Sequence, residues 1–112
     1  MKSLKRTMLA RLKENRERAR VDYLDWYQIP KGYNYVAIDA VDSLDSTGRV
    51  VFQAGRPVAY SDEVHQVLGG RWVFTAKKPG DKPKLRPLYV SAAAIIGPLP
   101  APENSLRKRP GA

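Results

Sequence analysis

His65 is the single histidine of a chain that has no cysteine. It stands beside Asp62 and Glu63, with Ser61 and Ser91 the serines nearest to expected regular structure. A Ser/His/Asp hydrolase needs such groups within mutual hydrogen-bond reach, and nothing in their spacing brings them there. Asp39, Asp42 and Asp45 recur at every third residue. A calcium loop wants alternate ligands closed by a glutamate, so these three read as turn-forming aspartates. Gly69-Gly70 is followed by Arg71-Trp72, where a phosphate-cradling loop would have Lys-Ser/Thr and a helix. Without sulfur there are no disulfides, thiolate zinc sites, iron–sulfur clusters or thiol nucleophiles. A lone histidine also excludes two-histidine metal motifs. The chain reads as non-enzymatic, with no cofactor.

The residues that point to chemistry are the basic ones. The sequence has 112 residues, a formal charge of +9 and 43% hydrophobic content. The charge is unevenly placed. Residues 1–20 hold eight Lys or Arg against Glu14 and Glu17, whereas residues 21–76 hold four basic against seven acidic side chains. Positive charge returns at Lys77, Lys78, Lys82, Lys84 and Arg86, opposed by Asp81 alone, and again at Arg107, Lys108 and Arg109. A near-neutral body with cationic extensions suits a polyanion, because each phosphate neutralised releases condensed counterions.

The stretch Arg11 to Arg20, as a helix, presents Arg11, Lys13, Arg16, Arg18 and Arg20 around most of its circumference, an arrangement that suits phosphates in a groove. In composition it resembles the arginine-rich helices that phage antiterminators insert into RNA hairpins. Glu14 and Glu17 can pair with Arg18 and Lys13 at i, i+4, so a solvated helix laced with ion pairs is the competing reading. Tyr23, Trp26 and Tyr27 either stack on bases or anchor that helix to its own sheet. In Lys77 to Arg86 the prolines hold lysines apart in an extended loop suited to backbone contacts with RNA or to an acidic protein surface.

The elements that must position these residues follow from periodicity. Leu4, Met8, Leu12, Ala19, Tyr23 and Trp26 fall on one helical face, with Ser3 as N-cap and Pro30 as stop, so a helix is expected from about residue 3 to 26. From Tyr33 the pattern becomes strand-like: Tyr33 to Ile38, Arg49 to Ala54, Val58 to Tyr60, Arg71 to Ala76 and Leu88 to Ile96 read as strands. Val41 to Gly48 reads as a wide loop, and residues 62–68 as two turns of helix stopped by Gly69 and Gly70. Arg49 to Pro57 and Arg71 to Pro79 agree at Arg, Val, Phe, Ala and Pro, which places Val50, Phe52 and Ala54, and Trp72, Phe74 and Ala76, on inward faces. Tyr35, Val36, Ile38, Phe52, Trp72, Phe74 and Tyr89 are the expected larger core residues. Beyond Gly97 four prolines predict an extended tail, with Pro98 to Pro102 a stiff spacer.

Pro30 to Asp39, then Gly48 to Pro57 and Trp72 resemble a short meander of small accessory proteins of tailed bacteriophages, in which a strand beginning near a Pro/Gly pair ends in Asp and a glycine turn leads to a second strand and a proline. The longer loop from Val41 to Thr47 departs from that pattern. The resemblance covers residues 30–72 and implies a host-takeover or virion setting without a defined site.

The expectation is therefore an α+β protein: a basic helical arm (residues 1–26) packed on a small, mostly antiparallel sheet of four or five strands with one short helix (27–97), and an extended Pro-rich basic tail (98–112). Its expected partner is RNA, DNA or a nucleoprotein machine, held by Arg11, Lys13, Arg16, Arg18, Arg20, Lys77, Lys78, Lys82, Lys84 and Arg86. The alternatives are a structural virion or ribonucleoprotein component and an inhibitor of an acidic host protein. The longest apolar stretch, Val90 to Ile96, falls short of the ~20 residues that span a bilayer, and no secretory signal fits. The cytoplasm of a bacterial host is the expected location.

Overall fold

The computed structural model describes residues 16–112, and the start of the expected N-terminal helix, with Arg11 and Lys13, lies outside them. Sheets dominate the fold, and every strand pairing is antiparallel. The central unit is a long hairpin of β3 (Tyr35–Leu44) and β4 (Val50–Tyr60), flanked by β7 (Leu88–Tyr89) on β4 and β8 (Arg107–Lys108) on β3. Two small hairpins complete it: β1 (Arg20–Val21) with β2 (Leu24–Asp25), and β5 (Val64–Gln66) with β6 (Trp72–Phe74).

The inner half of the long hairpin is buried on both faces, which follows from the two-residue alternation of strand side chains. Val36 and Ile38, opposite Ala59 and Pro57, face one core made with Tyr23, Leu24, Trp26, Ile29, Val90 and Ala94. Tyr35 and Ala37, opposite Tyr60 and Val58, face a second core made with Val64 and Trp72. Continuous apolar composition from Tyr35 to Ile38 is what such a doubly covered strand requires. Asp39 marks the end of this zone. The register slips there, so that Gly55 and Arg56 together oppose one residue of β3, as in a β-bulge. A Cβ on Gly55 would lie 3.0 Å from the Asp39 carbonyl oxygen, which is why a glycine occupies the bulge.

Several expected elements differ. Within the described residues the helix covers only 16–19. Asp22 then adopts φ 61°, a left-handed conformation that Asp tolerates, and β1 folds back on β2. The expected loop at Val41 to Gly48 is strand as far as Leu44, because Val41 and Leu44 continue the ladder without breakers. The turn proper is closed by the Asp45 carboxylate, which accepts from the Thr47 and Arg49 N–H groups at 2.8 and 2.9 Å. Residues 62–68 form no helix. Val64 to Gln66 pair with Trp72 to Phe74, and Gly69 and Gly70, at φ 92° and 82°, make the hairpin turn. A seven-residue helix repays its nucleation poorly, whereas this hairpin buries Val64 against Trp72. Gly70 is required there twice over, since any Cβ would collide with that of Ala40. The expected strand 88–96 stops at Tyr89, where the Ser91 hydroxyl accepts from the Ala93 N–H (3.2 Å) and diverts the chain into a 3-10 turn at Ala92–Ala94. Of the expected core, Val36, Ile38 and Trp72 are buried, but Phe52 and Tyr89 are 63% and 61% exposed.

The segment expected as an extended tail is docked. Pro102–Asn104 form a 3-10 turn, β8 pairs with Tyr35 and Val36, and Ser105 between them is fully buried. Its hydroxyl accepts from the Ile38 N–H at 2.8 Å and donates to the Pro102 carbonyl at 2.6 Å. Its own carbonyl accepts from the Tyr23 hydroxyl at 2.7 Å. Arg109 follows with a guanidinium that donates to the carbonyls of Trp26, Ile29, Pro30 and Tyr33 at 2.9–3.0 Å. Only a planar, multi-donor group serves so many acceptors at once. Prolines disfavour regular ladders but do not prevent docking through side chains.

Ser105→Ala leaves the Ile38 N–H buried without a partner. The expected loss is about 1–3 kcal/mol of stability, read by urea denaturation. Burial pushes the Tyr23 phenol up to about 12, partly offset by Arg107 and reinforced by Asp22. Its neutral, donating form is therefore favoured in the folded state. This contribution is fully present below about pH 10, the ordinary tyrosine value, and is lost as pH rises through about 12. Burial pushes the Tyr60 phenol up to about 12 as well, so Tyr23→Phe should make that alkaline limb of the stability profile shallower and Tyr60 should carry the remainder.

Candidate nucleic-acid interface

The acid–base candidates fall into structural roles. His65 is exposed on β5, its Nδ1 2.8 Å from the Thr75 hydroxyl. Ser61 donates to the Asp62 carboxylate at 2.9 Å and accepts from the Leu85 N–H at 3.0 Å, so it carries no histidine relay. Asp39 accepts from the Trp72 N–H at 2.8 Å and so ties β6 to the bulge. Asp42 lies exposed on the outer hairpin, and Asp45 closes its turn. Among the described residues no group of three or more His, Asp or Glu could hold a metal ion.

In the lysine loop between Phe74 and Leu88 the neighbouring aspartates hold backbone, and no loop lysine forms an ion pair among the described residues. Asp81 accepts from the Lys77 and Lys78 N–H groups, both at 3.1 Å. Asp62 accepts from the Lys84 N–H at 2.7 Å, and the Arg86 carbonyl accepts from the Tyr33 hydroxyl at 2.9 Å. Local sequence explains this: Lys-Lys-Pro-Gly-Asp is a turn in which the aspartate folds back on the N–H groups three and four residues before it. Lys77, Lys82 and Lys84 line one open cleft together with three carboxylates, Asp62, Glu63 and Asp81, and with Asn34, Tyr35 and Thr75. All five basic side chains of the loop are exposed. The one ion pair among the described residues, Arg107 to Asp22 at 2.7 Å, involves none of them.

A second basic group lies at the start of the described chain. The Arg16 guanidinium sits 5.4 Å from the centre of the Tyr27 ring, and Tyr27 is 67% exposed. Arg18 lines a shallow cleft with Tyr27, Trp26 and Arg109, and Arg20 is exposed on β1. Tyr23 and Trp26, by contrast, are core. Asn34 joins the two groups: it lines the lysine cleft and also accepts from Arg109 Nε at 3.2 Å. Lys108, opposite Tyr35 in the ladder, shares the face of Tyr35, a residue that lines the lysine cleft, and is itself exposed. Sequence reading left Lys108 out of the site because its place depends on β8 docking, for which the tail has no local signal. Arg56, stacked 4.1 Å from the centre of the exposed Tyr89 ring, was also missed. Its alternation with Gln53 and Pro57 is disturbed by the bulge.

Of the ten basic residues expected to form the site, Arg16, Arg18, Arg20, Lys77, Lys78, Lys82, Lys84 and Arg86 are described and exposed. The tail arginines take the opposite course. Arg107 is paired, and Arg109 is committed to backbone carbonyls, burial pulling its pKa below the ordinary guanidinium value. Comparison with protein-family models, curated proteins and solved structures finds no match for the chain.

The Lys84 N–H, with help from the Ser61 hydroxyl and the Lys84 and Lys77 charges, holds the Asp62 carboxyl below its ordinary range. A depressed folded value means that the contact is intact above the ordinary carboxylate pKa and is lost as pH falls through the lower, folded one. The Lys84 amide resonance should therefore shift with a midpoint below pH ~3.9, and Asp62→Ala should abolish that shift.

Proposed function

We propose that this protein is a non-enzymatic accessory module that binds nucleic acid, or the nucleic acid of a nucleoprotein machine, through an unpaired cationic surface. The phosphate contacts fall to Arg16, Arg18 and Arg20 on one side and to Lys77, Lys78, Lys82, Lys84 and Arg86 on the other, with Lys108 beside them. One observation carries the reading. Asp62 and Asp81 accept from backbone N–H groups of the loop rather than from its ammonium groups, so the loop is held in place while, among the described residues, no carboxylate comes within ion-pair distance of a loop lysine. A loop evolved only for solubility has no need of carboxylates arranged in this way. Exposed Tyr27 beneath Arg16 adds a surface on which a base can stack. Contacts of this kind are made to the backbone and read little sequence. The cytoplasm of a bacterial host, the setting that the resemblance over residues 30–72 implies, is part of the same proposal. No helix among the described residues is long and apolar enough to cross a membrane.

The test is retention on RNA and on duplex DNA over a salt series. Binding at ~50 mM salt should fall steeply as salt rises, with each phosphate contact contributing about −0.9 to the log–log slope on B-DNA. The triple variant Lys77→Ala, Lys82→Ala, Lys84→Ala should bind more weakly and show a shallower slope, with unchanged melting because the loop is held by backbone bonds. Retention at ~50 mM salt no greater than that of a neutral protein overturns the proposal. A stoichiometric complex with an acidic protein that survives nuclease treatment would favour the inhibitor reading.

A further inference from the structure

Beyond the bulge the long hairpin leaves the body of the protein as a two-stranded ribbon. Ala40, Asp42 and Leu44 share one face with Ala54, Phe52 and Val50, to which they are paired. On that face Leu44, Val50 and Phe52 are 69%, 61% and 63% exposed, next to the turn that carries the fully exposed Leu68. A lone two-stranded ribbon is marginal in water, so this part of the chain is built for a partner.

The backbone says which edge is open. The Asp45 N–H donates to the Arg49 carbonyl at 3.0 Å, toward the partner strand, and the Ala40 N–H turns outward to the Gly70 carbonyl at 3.0 Å. Since paired and outward residues alternate in an antiparallel ladder, Val50, Phe52 and Ala54 point their N–H and carbonyl groups away from β3. The β3 edge is covered by the chain itself near Ile38 and Ala40, through Ser105, Trp72 and Gly70. On β4, β7 takes Val58 and Ala59, and the Val90 N–H takes the Pro57 carbonyl. Among the described residues nothing takes the outward groups of Val50, Phe52 and Ala54. Edges are normally protected by charge, lysine or proline, yet Val50 to Ala54 contains none of these.

We propose that this edge pairs with the same edge of a second copy, β4 against β4 antiparallel about a two-fold axis at Phe52, giving a continuous sheet of two ribbons. Antiparallel self-pairing is isologous and closes after two chains. In this register Phe52 faces Phe52, Val50 faces Ala54, Val51 faces Gln53, and Arg49 meets Gly55 rather than a like charge. The outer edge of β3 would instead set Asp42 against Asp42, a repulsive pair. Charge selects the ribbon too. The chain carries +9 overall, but residues 40–54 carry only Asp42, Asp45 and Arg49, so two copies approach here with little repulsion. Assembly and nucleic-acid binding are separable by salt, which screens the repulsion between copies but weakens phosphate contacts.

The test uses nuclease-treated protein of the full sequence. Sedimentation equilibrium should show the mass rising from one chain to two with concentration, undiminished by added salt. Phe52→Lys, a charge placed on an exposed edge position, should hold the protein at one chain with unchanged circular dichroism. Because the chain lacks cysteine, Phe52→Cys supplies a second readout that does not depend on the lysine variant folding. Directly opposed residues of a hydrogen-bonded pair are about 5.5 Å apart at Cα, within disulfide range, so Phe52→Cys should give a covalent dimer on mild oxidation and Asp42→Cys should not. A single-chain mass at every concentration, a dimer unaffected by Phe52→Lys when that variant is folded, or equal cross-linking by the two cysteine variants would overturn the proposal.

Discussion

Strand β3 enters the interior with backbone groups on its outer edge that water cannot reach, and residues 105–109 satisfy them together with the Trp72 indole and the Gly70 carbonyl. The Ser105 hydroxyl takes the Ile38 N–H, the Ser105 carbonyl takes the Tyr23 hydroxyl, and β8 takes the edge at Tyr35 and Val36. Arg109 then collects the carbonyls that end the 3-10 turn at Trp26–Gln28 and the loop after it. An unpaired buried group costs more than a paired one returns, so this polar staple decides whether either hydrophobic core can close. Among the described residues no buried side-chain nitrogen or oxygen lacks a partner, the Ser105 hydroxyl and the Tyr23 hydroxyl included.

From that constraint the division of the molecule follows. Where the staple and β7 flank the hairpin, both faces are covered and the side chains are small or apolar. Past the Asp39 bulge neither edge has a full neighbour, and the same two strands run on with their faces in water. The basic residues divide in the same way. Arginines with a structural duty, Arg107 and Arg109, are engaged by a carboxylate or by carbonyls, while the loop lysines are left with charge to spare.

The antiparallel, sheet-rich character and the strand over Tyr35 to Ile38 were legible in the sequence, because alternation and β-branched residues write them locally. So were Asp45 as a turn aspartate, whose short side chain reaches backbone within its own loop, and the lysine loop as an exposed element. Asp39 and Asp42, expected in turns as well, lie inside β3 instead, Asp39 holding the Trp72 N–H from the bulge. The helix expected at residues 62–68 was misread since Gly69-Gly70 serves a helix end and a hairpin turn equally. What decides between them is the pairing of the segments on either side, Val64–Gln66 with Trp72–Phe74. Phe52 was placed in the core on the strength of its echo with Phe74, but the bulge at Asp39 separates a covered half from an uncovered one, and no local pattern announces it. The docked tail was hidden for a similar reason: its contacts join residues about eighty positions apart, such as Tyr23 and Ser105.

That distance has a consequence for how the protein comes into being. A ribosome delivers Tyr23, Trp26 and β3 long before it delivers Ser105 and Arg109, and domains close as units once their last member has emerged. Until residue 109 is clear of the exit tunnel, the nascent chain holds two unsealed cores and a bare strand edge. Translation pausing late in the message would prolong that vulnerable interval, and chaperones would find their binding sites there.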